Sequence, residues 1–340
     1  MKKIISLTLS LMLLLGILAV PAVAEEAQQK PVGTLSYLVM TEEEDLSFSA
    51  ATRLPLLKLL RYRGVLVPKK EGGTILNPRR FFDTLDALLM ALQAGELDNI
   101  KLPYYSARYL CSTNDGIKII TEYHPEKATG IAEWALGMLS DGYSFMMKEE
   151  NTALRDEFDA QITAMKEDGT LQKLIDEHIV KVAEGGEPVS IAFEKFDGDP
   201  IKVAVTGDLP PMDYVAPDGT FAGFNTAVLA EIGKRLQKNI ELVQVENVGR
   251  ALVLSQGLVD VVFWTRALSE SLVLQITTGE KLSDIMAQDQ ALTDEEKALL
   301  ETLEFPDQET IEKMYKRDLP EGTIITQPYF SDYGVRVGIK

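Results

Sequence analysis

The sequence predicts an α/β protein of two lobes with like architecture, and three observations lead there. Residues 83–98, DTLDALLMALQAGELD, and 247–260, NVGRALVLSQGLVD, align on Gly95 and Gly257 and share an apolar-x-Leu-x-x-Gly-x-x-Asp core. Each reads as an amphipathic helix closed by a glycine that takes a left-handed cap. A short strand comes after each, NIKLPYY and VVFWTR, which is the helix-to-strand step of an open, mainly parallel sheet. Finally, SDGYSFMMKEE at 140–150 resembles SDYGVRVGIK at 331–340. Both begin Ser-Asp, pass through Gly and Tyr, and run into a strand; in the second, Val335, Val337 and Ile339 alternate with Arg336, Gly338 and Lys340.

At the start of the chain, Lys2 and Lys3, an apolar run from Ile4 to about Val20, and the Ala22-Val23-Ala24 site have the layout of a signal peptide over residues 1–24. The run is short for a spanning helix, and no Cys follows the site, so a lipid anchor is not expected. A secreted or periplasmic protein without a transmembrane helix is. Residues 34–150 form the first lobe. In 151–180, Leu154, Phe158, Ile162 and Met165 share one helical face, with Asn151 or Thr152 as the cap, and Gly169 separates this helix from a second, shorter one. Residues 181–199, rich in Gly and Glu, read as a linker in which Ile191 to Phe193 could pair locally. The second lobe spans 200–340. It opens with the strand IKVAVTG, a turn-rich loop with Pro217-Asp218-Gly219, a helix capped by Asn225 with Phe224 stapled to Leu229, and the strand IELVQVE. A helical insertion covers about 270–320, where Thr293 and Glu296 form a capping box.

Composition narrows the function. A hydrophobic fraction of 46% over 340 residues supports two cores. The formal charge of −18 repels nucleic acid and anionic membrane surfaces. The single Cys111 makes no intramolecular disulfide. The two histidines, His124 and His178, form no metal-like cluster, and no nucleophile elbow, P-loop or dinucleotide fingerprint occurs. No enzyme, metal or cofactor is expected, and the protein is expected to be a monomer.

Two segments carry a resemblance. IKVAVTGDLPPMDYVAPDGTFAGFNTAVLAEIGKRL resembles the opening of a type 2 periplasmic binding protein, the extracellular solute-binding family 3 of amino-acid ABC importers. GYSFMMKEENTALRDEFDAQITAMKEDGTLQKLIDEHI is similar to that family's closing segment. The resemblance implies two mixed sheets flanked by helices and joined by hinge strands. The order is unusual: the lobe resembling the family's second comes first, which implies a circular permutation or a piece of a tandem array. It also implies capture of a small polar solute (an amino acid or related compound) by lobe closure, and delivery to a membrane permease. The alternatives are a sensing or degenerate module of the same fold and, third, a dehydratase-like enzyme.

Carried over by position, the resemblance implies a wall of Asp208, Met212, Asp213 and Tyr214 and a floor of Trp264, Thr265 and Arg266. Tyr329 would stand near the hinge, with Tyr104 and Tyr105 in the other lobe. Each also has a plain reading: packing for the tyrosines, amide capping for Asp208 and Asp213, and a surface ion pair for Arg266. The chain departs from the family at key points. WTRALSES stands where Thr-x-Glu-Arg is usual, Pro103-Tyr104 where a strand-end Asp is usual, and Gly-Phe-Asn replaces Gly-Phe-Asp at 223–225. A charged ligand buried without partners is costly, so an amino acid held in the family's usual manner is not expected.

Overall fold

The computed structural model describes residues 30–35, 50–68, 78–216, 218–246, 249–269, 271, 282–289, 291–304, 309 and 319–340, with the backbone alone at 50–52, 122–123 and 264–266. The expected signal peptide lies outside the described residues. Residues 31–340 form one compact unit.

Two sheets of the same plan organise it. The first runs β3 (Arg79–Phe82), β1 (Val32–Leu35), β4 (Asn99–Pro103), β16 (Gly334–Ile339), β5 (Ile117–Ile119). The second runs β12 (Ile240–Gln244), β8 (Ile201–Val205), β13 (Val261–Leu268), β7 (Asp141–Lys148), β14 (Thr323–Ile325), with β15 (Phe330–Asp332) also paired to β7. In each, three strands are parallel and the fourth is antiparallel. That fourth strand comes from the other half of the sequence. β7 joins the second sheet against β13, and β16 joins the first against β4. Linear boundaries at 34–150 and 200–340 therefore cut across the sheets: 141–148 belongs to the second and 334–339 to the first. The chain crosses between lobes at Ser140–Asp141 and at Asp332–Gly334.

Helices connect the parallel strands. In the first lobe these are α1 (Ala50–Tyr62), α2 (Leu85–Gln93), α3 (Tyr104–Thr113) and α4 (Ile131–Leu139). α5 (Thr152–Glu167) and α6 (Thr170–Ile175) come next, the latter continuing through a π turn at Asp176–Val180 into Lys181–Ala183. The second lobe holds α7 (Phe224–Leu236), α8 (Arg250–Ser255), α9 (Leu282–Gln288) and α10 (Asp294–Leu300). The internal repeat survives in packing: Leu92 and Leu254 are buried while Met90 and Leu252 are exposed. Both closing glycines are left-handed, at φ 73° and 71°.

Local chemistry fixes several element ends. Thr84 caps α2 by accepting from Ala87 N at 3.2 Å, and Thr293 with Glu296 forms the expected capping box on α10. Gly223 stands at the cap of α7, and Asn225, expected there, sits inside the first turn and is 1% exposed. Asn151 occupies the cap position of α5 without a side-chain bond. The 184–200 stretch has no regular structure, and Ile191 to Phe193 form no strand.

The 151–180 helices pack on the second lobe. Arg235 reaches Asp168 at 2.8 Å and Thr170 Oγ1 at 3.0 Å, and Lys238 pairs with Glu157. Gln327 donates from its backbone to Asp159 Oδ1 at 2.7 Å. Phe145 of β7 lies between Phe158 of α5, edge to face at 5.3 Å, and Tyr329, stacked at 4.4 Å. A hydrophobic cluster continuous through both lobes results. Among the described residues no helix is long and apolar enough to cross a membrane.

Candidate functional site

The carboxyl ends of β1 and β4 meet the two crossing strands in a small, solvent-open crevice. Thr34, Lys101, Leu102, Pro103, Asp141, Tyr143 and Gly334 line it. This is the point where an open α/β sheet leaves a crevice beside its strand ends. The register explains who faces it. Thr34 is paired with Lys101 across β1 and β4, so both project from one face of the sheet. Gly334 admits Lys101: a Cβ there would lie 2.6 Å from Lys101 Cε.

The lining combines one cation, one anion, the Thr34 hydroxyl and the Tyr143 phenol. Thr34 is 2% exposed, and its Oγ1 finds no hydrogen-bond partner among the described residues. Buried hydroxyls are seldom left that way. Lys101 and Asp141 are half-buried, each with an interaction of its own. Tyr143 contributes a buried aromatic wall, stacked 6.4 Å from Phe330.

Asp332 lies beside this cleft at the second crossing and is 2% exposed. Its Oδ2 accepts from Tyr105 N at 3.2 Å and its Oδ1 from Tyr333 N at 2.8 Å. α3 begins after Pro103, which offers no side-chain cap, so the free amides at its N-terminus take a carboxylate from the other half of the chain. The favourable end of the helix dipole reinforces that contact. Burial nevertheless pushes the Asp332 carboxyl up to about 8, and the neighbouring charge of Asp141 adds to the shift. Tyr104 stacks on Tyr333 at 4.7 Å and meets Tyr105 edge to face at 5.1 Å. Burial raises the Tyr105 phenol to about 12, with Asp332 contributing.

The sequence-predicted residues divide into groups. Tyr104 and Tyr105 stand at the start of a helix rather than on a strand, beside the cleft, with Tyr104 largely buried by stacking. Met212 is fully buried. Tyr329 is 1% exposed, and its hydroxyl donates to Asn225 Oδ1 at 2.7 Å, so it belongs to the core next to the hinge. Asp213 is 1% exposed, with Oδ2 accepting from Thr206 N, Thr206 Oγ1 and Gly207 N. It clamps the loop after β8, and burial pushes its carboxyl up to about 6. Asp208 and Tyr214 pair across β9 (Asp208–Leu209) and β10 (Asp213–Val215), which with β11 (Phe221–Ala222) form a small antiparallel sheet. Burial raises the Tyr214 phenol to about 12, with a contribution from Tyr109 of α3. Trp264, Thr265 and Arg266 lie in β13, with Thr265 opposite Ser144 and Arg266 opposite Tyr143; their side chains are outside the described residues.

Sequence reasoning missed Thr34, Lys101, Asp141 and Asp332. The signal was present for two of them. Asp141 and Asp332 are the equivalent positions of the two Ser-Asp repeats, and the structure pairs them directly across β7 and β15. Among the described residues no His, Cys, Asp or Glu group is arranged to hold a metal ion.

Residues 201–270 match the family model of bacterial extracellular solute-binding proteins, family 3. The match starts with β8 and ends just after β13, and it overlaps the segment in which the resemblance is read from sequence. No curated protein sequence matches the chain. Similar solved structures include the ligand-binding component of an ABC-type import system from Staphylococcus aureus with zinc bound: 10% identity, 88% of this chain and 86% of that one, TM-score 0.31. The GluR0 ligand-binding core in complex with L-glutamate is 11% identical over 93% and 86%, TM-score 0.34. A phosphate-binding protein of a phosphate ABC transporter from Streptococcus pneumoniae is 10% identical over 92% and 89%, TM-score 0.32. At these scores none of their ligands is carried over. The family match and the two-sheet plan with exchanged strands give the chain a type 2 periplasmic-binding-protein-like fold.

Proposed function

We propose that this protein is an extracytoplasmic solute-binding protein that captures a small polar solute, an amino acid or related compound, between its two lobes. The observation that supports this best is the cleft at the crossing point, where Lys101, Asp141 and the unpartnered Thr34 hydroxyl converge beside the strand ends. A solute bearing both an acceptor-rich and a donor-rich group matches the charges of that lining, and the Thr34 hydroxyl would then find a partner. Transfer to a membrane permease completes the reading, with the protein working outside the cytoplasm and as a monomer. The sequence-predicted wall of Asp208 and Tyr214, the floor of Trp264, Thr265 and Arg266, and Tyr105 opposite remain the proposed contacts from the rest of the cleft.

A thermal-shift panel of amino acids, short peptides, sugars and organic anions tests it. A binding solute at a hundredfold excess over Kd raises stability by about 2.7 kcal/mol through mass action, and Thr34→Val should weaken that response. A flat response across the whole panel overturns the reading. A sensing module of the same fold is the second reading, favoured by the missing Thr-x-Glu-Arg pattern and by the α3 N-terminus already holding Asp332. Solute-dependent uptake into vesicles carrying a permease separates the two.

A further inference from the structure

Equivalent rows of the two sheets carry opposite chemistry. In the first sheet, Thr34 of β1 pairs with Lys101 of β4, and Lys101 pairs with Arg336 of β16. Paired residues project from the same face of a sheet, so a hydroxyl, an ammonium and a guanidinium stand side by side across three strands. The internal repeat supplies their counterparts. Lys101 and Phe263 each stand three residues after the repeat's closing aspartate, Asp98 and Asp260. The strand registers then match Thr34 with Val205. Arg336 and Phe145 each stand five residues after the serine of their Ser-Asp repeat. Val205, Phe263 and Phe145 are exposed by 1% or less and belong to the apolar cluster. The second sheet thus fills this row with packing, and the first fills it with hydrogen-bond donors.

The surroundings of the row favour an anion. Lys101 and Arg336 lie directly opposite each other, where like charges repel. By the same registers this face also carries Arg79 on β3 and Lys118 on β5, and no acidic side chain projects from it on any of the five strands. In a chain of formal charge −18, a face of one positive sign is a local field that attracts acidic groups. Thr34 and Lys101 both line the crevice. Arg336 is next in the row, about 4.8 Å away at the usual strand spacing; it is exposed and makes no ion pair among the described residues. Buried hydroxyls are normally bonded, and the Thr34 hydroxyl, 2% exposed with no partner among the described residues, has a donor to offer a ligand.

We propose that Thr34, Lys101 and Arg336 form one oxyanion-binding row, and that the solute, taking the crevice as its site as above, lies with a carboxylate or phosphate against them. Charge-assisted bonds from Lys and Arg to such a group are roughly twice as strong as neutral ones. An anion seated between Lys101 and Arg336 also replaces their repulsion with a shared attraction. Thr34 adds a hydroxyl donor at the buried end of the row, where water competes least. Asp141, in the same lining, belongs to β7 of the second sheet and takes the donor-rich end. The solute's polarity is therefore set across the two sheets, with its acidic end on the first.

The test is titration calorimetry on the full chain with acids paired against their neutral counterparts. L-amino acids are set against their α-amides, dicarboxylates against diamides, and phosphate monoesters against the parent alcohols. The carboxylate and phosphate arms separate the two sources of the oxyanion. Acids should bind, and each neutral counterpart should bind at least about tenfold more weakly. Arg336→Met should weaken a binding acid by about tenfold or more, and Arg336→Lys, which keeps the charge, should lose less. Should Arg336→Met not fold, the acid-to-amide ratio of the unaltered chain decides. Solutes that bind equally as acid and amide, or an acid whose affinity Arg336→Met leaves unchanged, overturn the row and leave the solute-binding reading standing. A panel with no response in either arm overturns both.

Discussion

The two sheets share one strand plan and diverge immediately after their third parallel strand. In the first, β4 stops at Pro103 and α3 starts at once, which puts a helix N-terminus beside the cleft. In the second, β13 runs on to Leu268 and leads into the insertion, which leaves the cleft for α1 and α4. Both sheets keep the same order and a borrowed fourth strand, and they differ at the strand ends. Those ends are where an open α/β sheet leaves its crevice, so the lobes differ where the proposed solute would sit and agree in the sheets that carry the core.

The borrowed strands give the strongest way to break this comparison. Phe145 of β7 is fully buried between Phe158 and Tyr329, and Phe145→Ala should cost about 3–5 kcal/mol in urea unfolding. Val337 of β16 is equally buried, and Val337→Ala should cost about 1.5–3 kcal/mol from the lost methyls and the cavity. Both variants should shift one shared transition, because each strand completes a sheet that the other half began. Two separated transitions would mean that the sheets are independent after all.

Asp332 sharpens it through pH. Its carboxyl is raised from the ordinary range near 4 to about 8, so the folded state holds a proton that the unfolded state has released. The contribution is complete below about pH 4 and is lost as pH rises toward 8. Asp213, raised to about 6, adds a smaller loss of the same sign that ends earlier. The melting temperature of Asp332→Asn relative to the parent should therefore improve steadily from pH 5 to pH 8. A difference that is constant with pH would show that Asp332 is ionised in the folded state. The smallest effect belongs to the surface. Arg80 and Glu96 pair at 2.5 Å, but both are half exposed, and Arg80→Ala should change stability by less than about 1 kcal/mol.

Much of the fold was legible because it rests on period and on glycine. The repeat around Gly95 and Gly257, the strands β8, β12 and β13, and the capping box at Thr293 all obey local rules, and all appear in the structure. The helix cap at Asn225 failed because burial decided it. Asn225 accepts the Tyr329 hydroxyl inside the core, and Gly223 took the cap. Tyr104 and Tyr105 read as the end of the strand NIKLPYY, yet Pro103 ends β4 and a helix begins at Tyr104 instead. The cleft was the least legible part. Thr34 is an ordinary threonine in sequence, and only the pairing of β1 with β4 sets it beside Lys101. Arg63 forks onto Glu296 with no local signature of partnership, because a contact so distant in sequence is a product of tertiary packing.

The exchanged strands also bear on the order in which the molecule can form. Among the described strands β4 finds its antiparallel neighbour in β16, at the far end of the chain. Contacts so distant in sequence form slowly, because the loop must close before they repay its entropy. The first sheet thus waits, with one edge of β4 unpaired, until the chain through Ile339 is at hand. For a chain working outside the cytoplasm, as proposed above, such a delay would keep the earliest lobe incomplete for as long as its partner strand is missing.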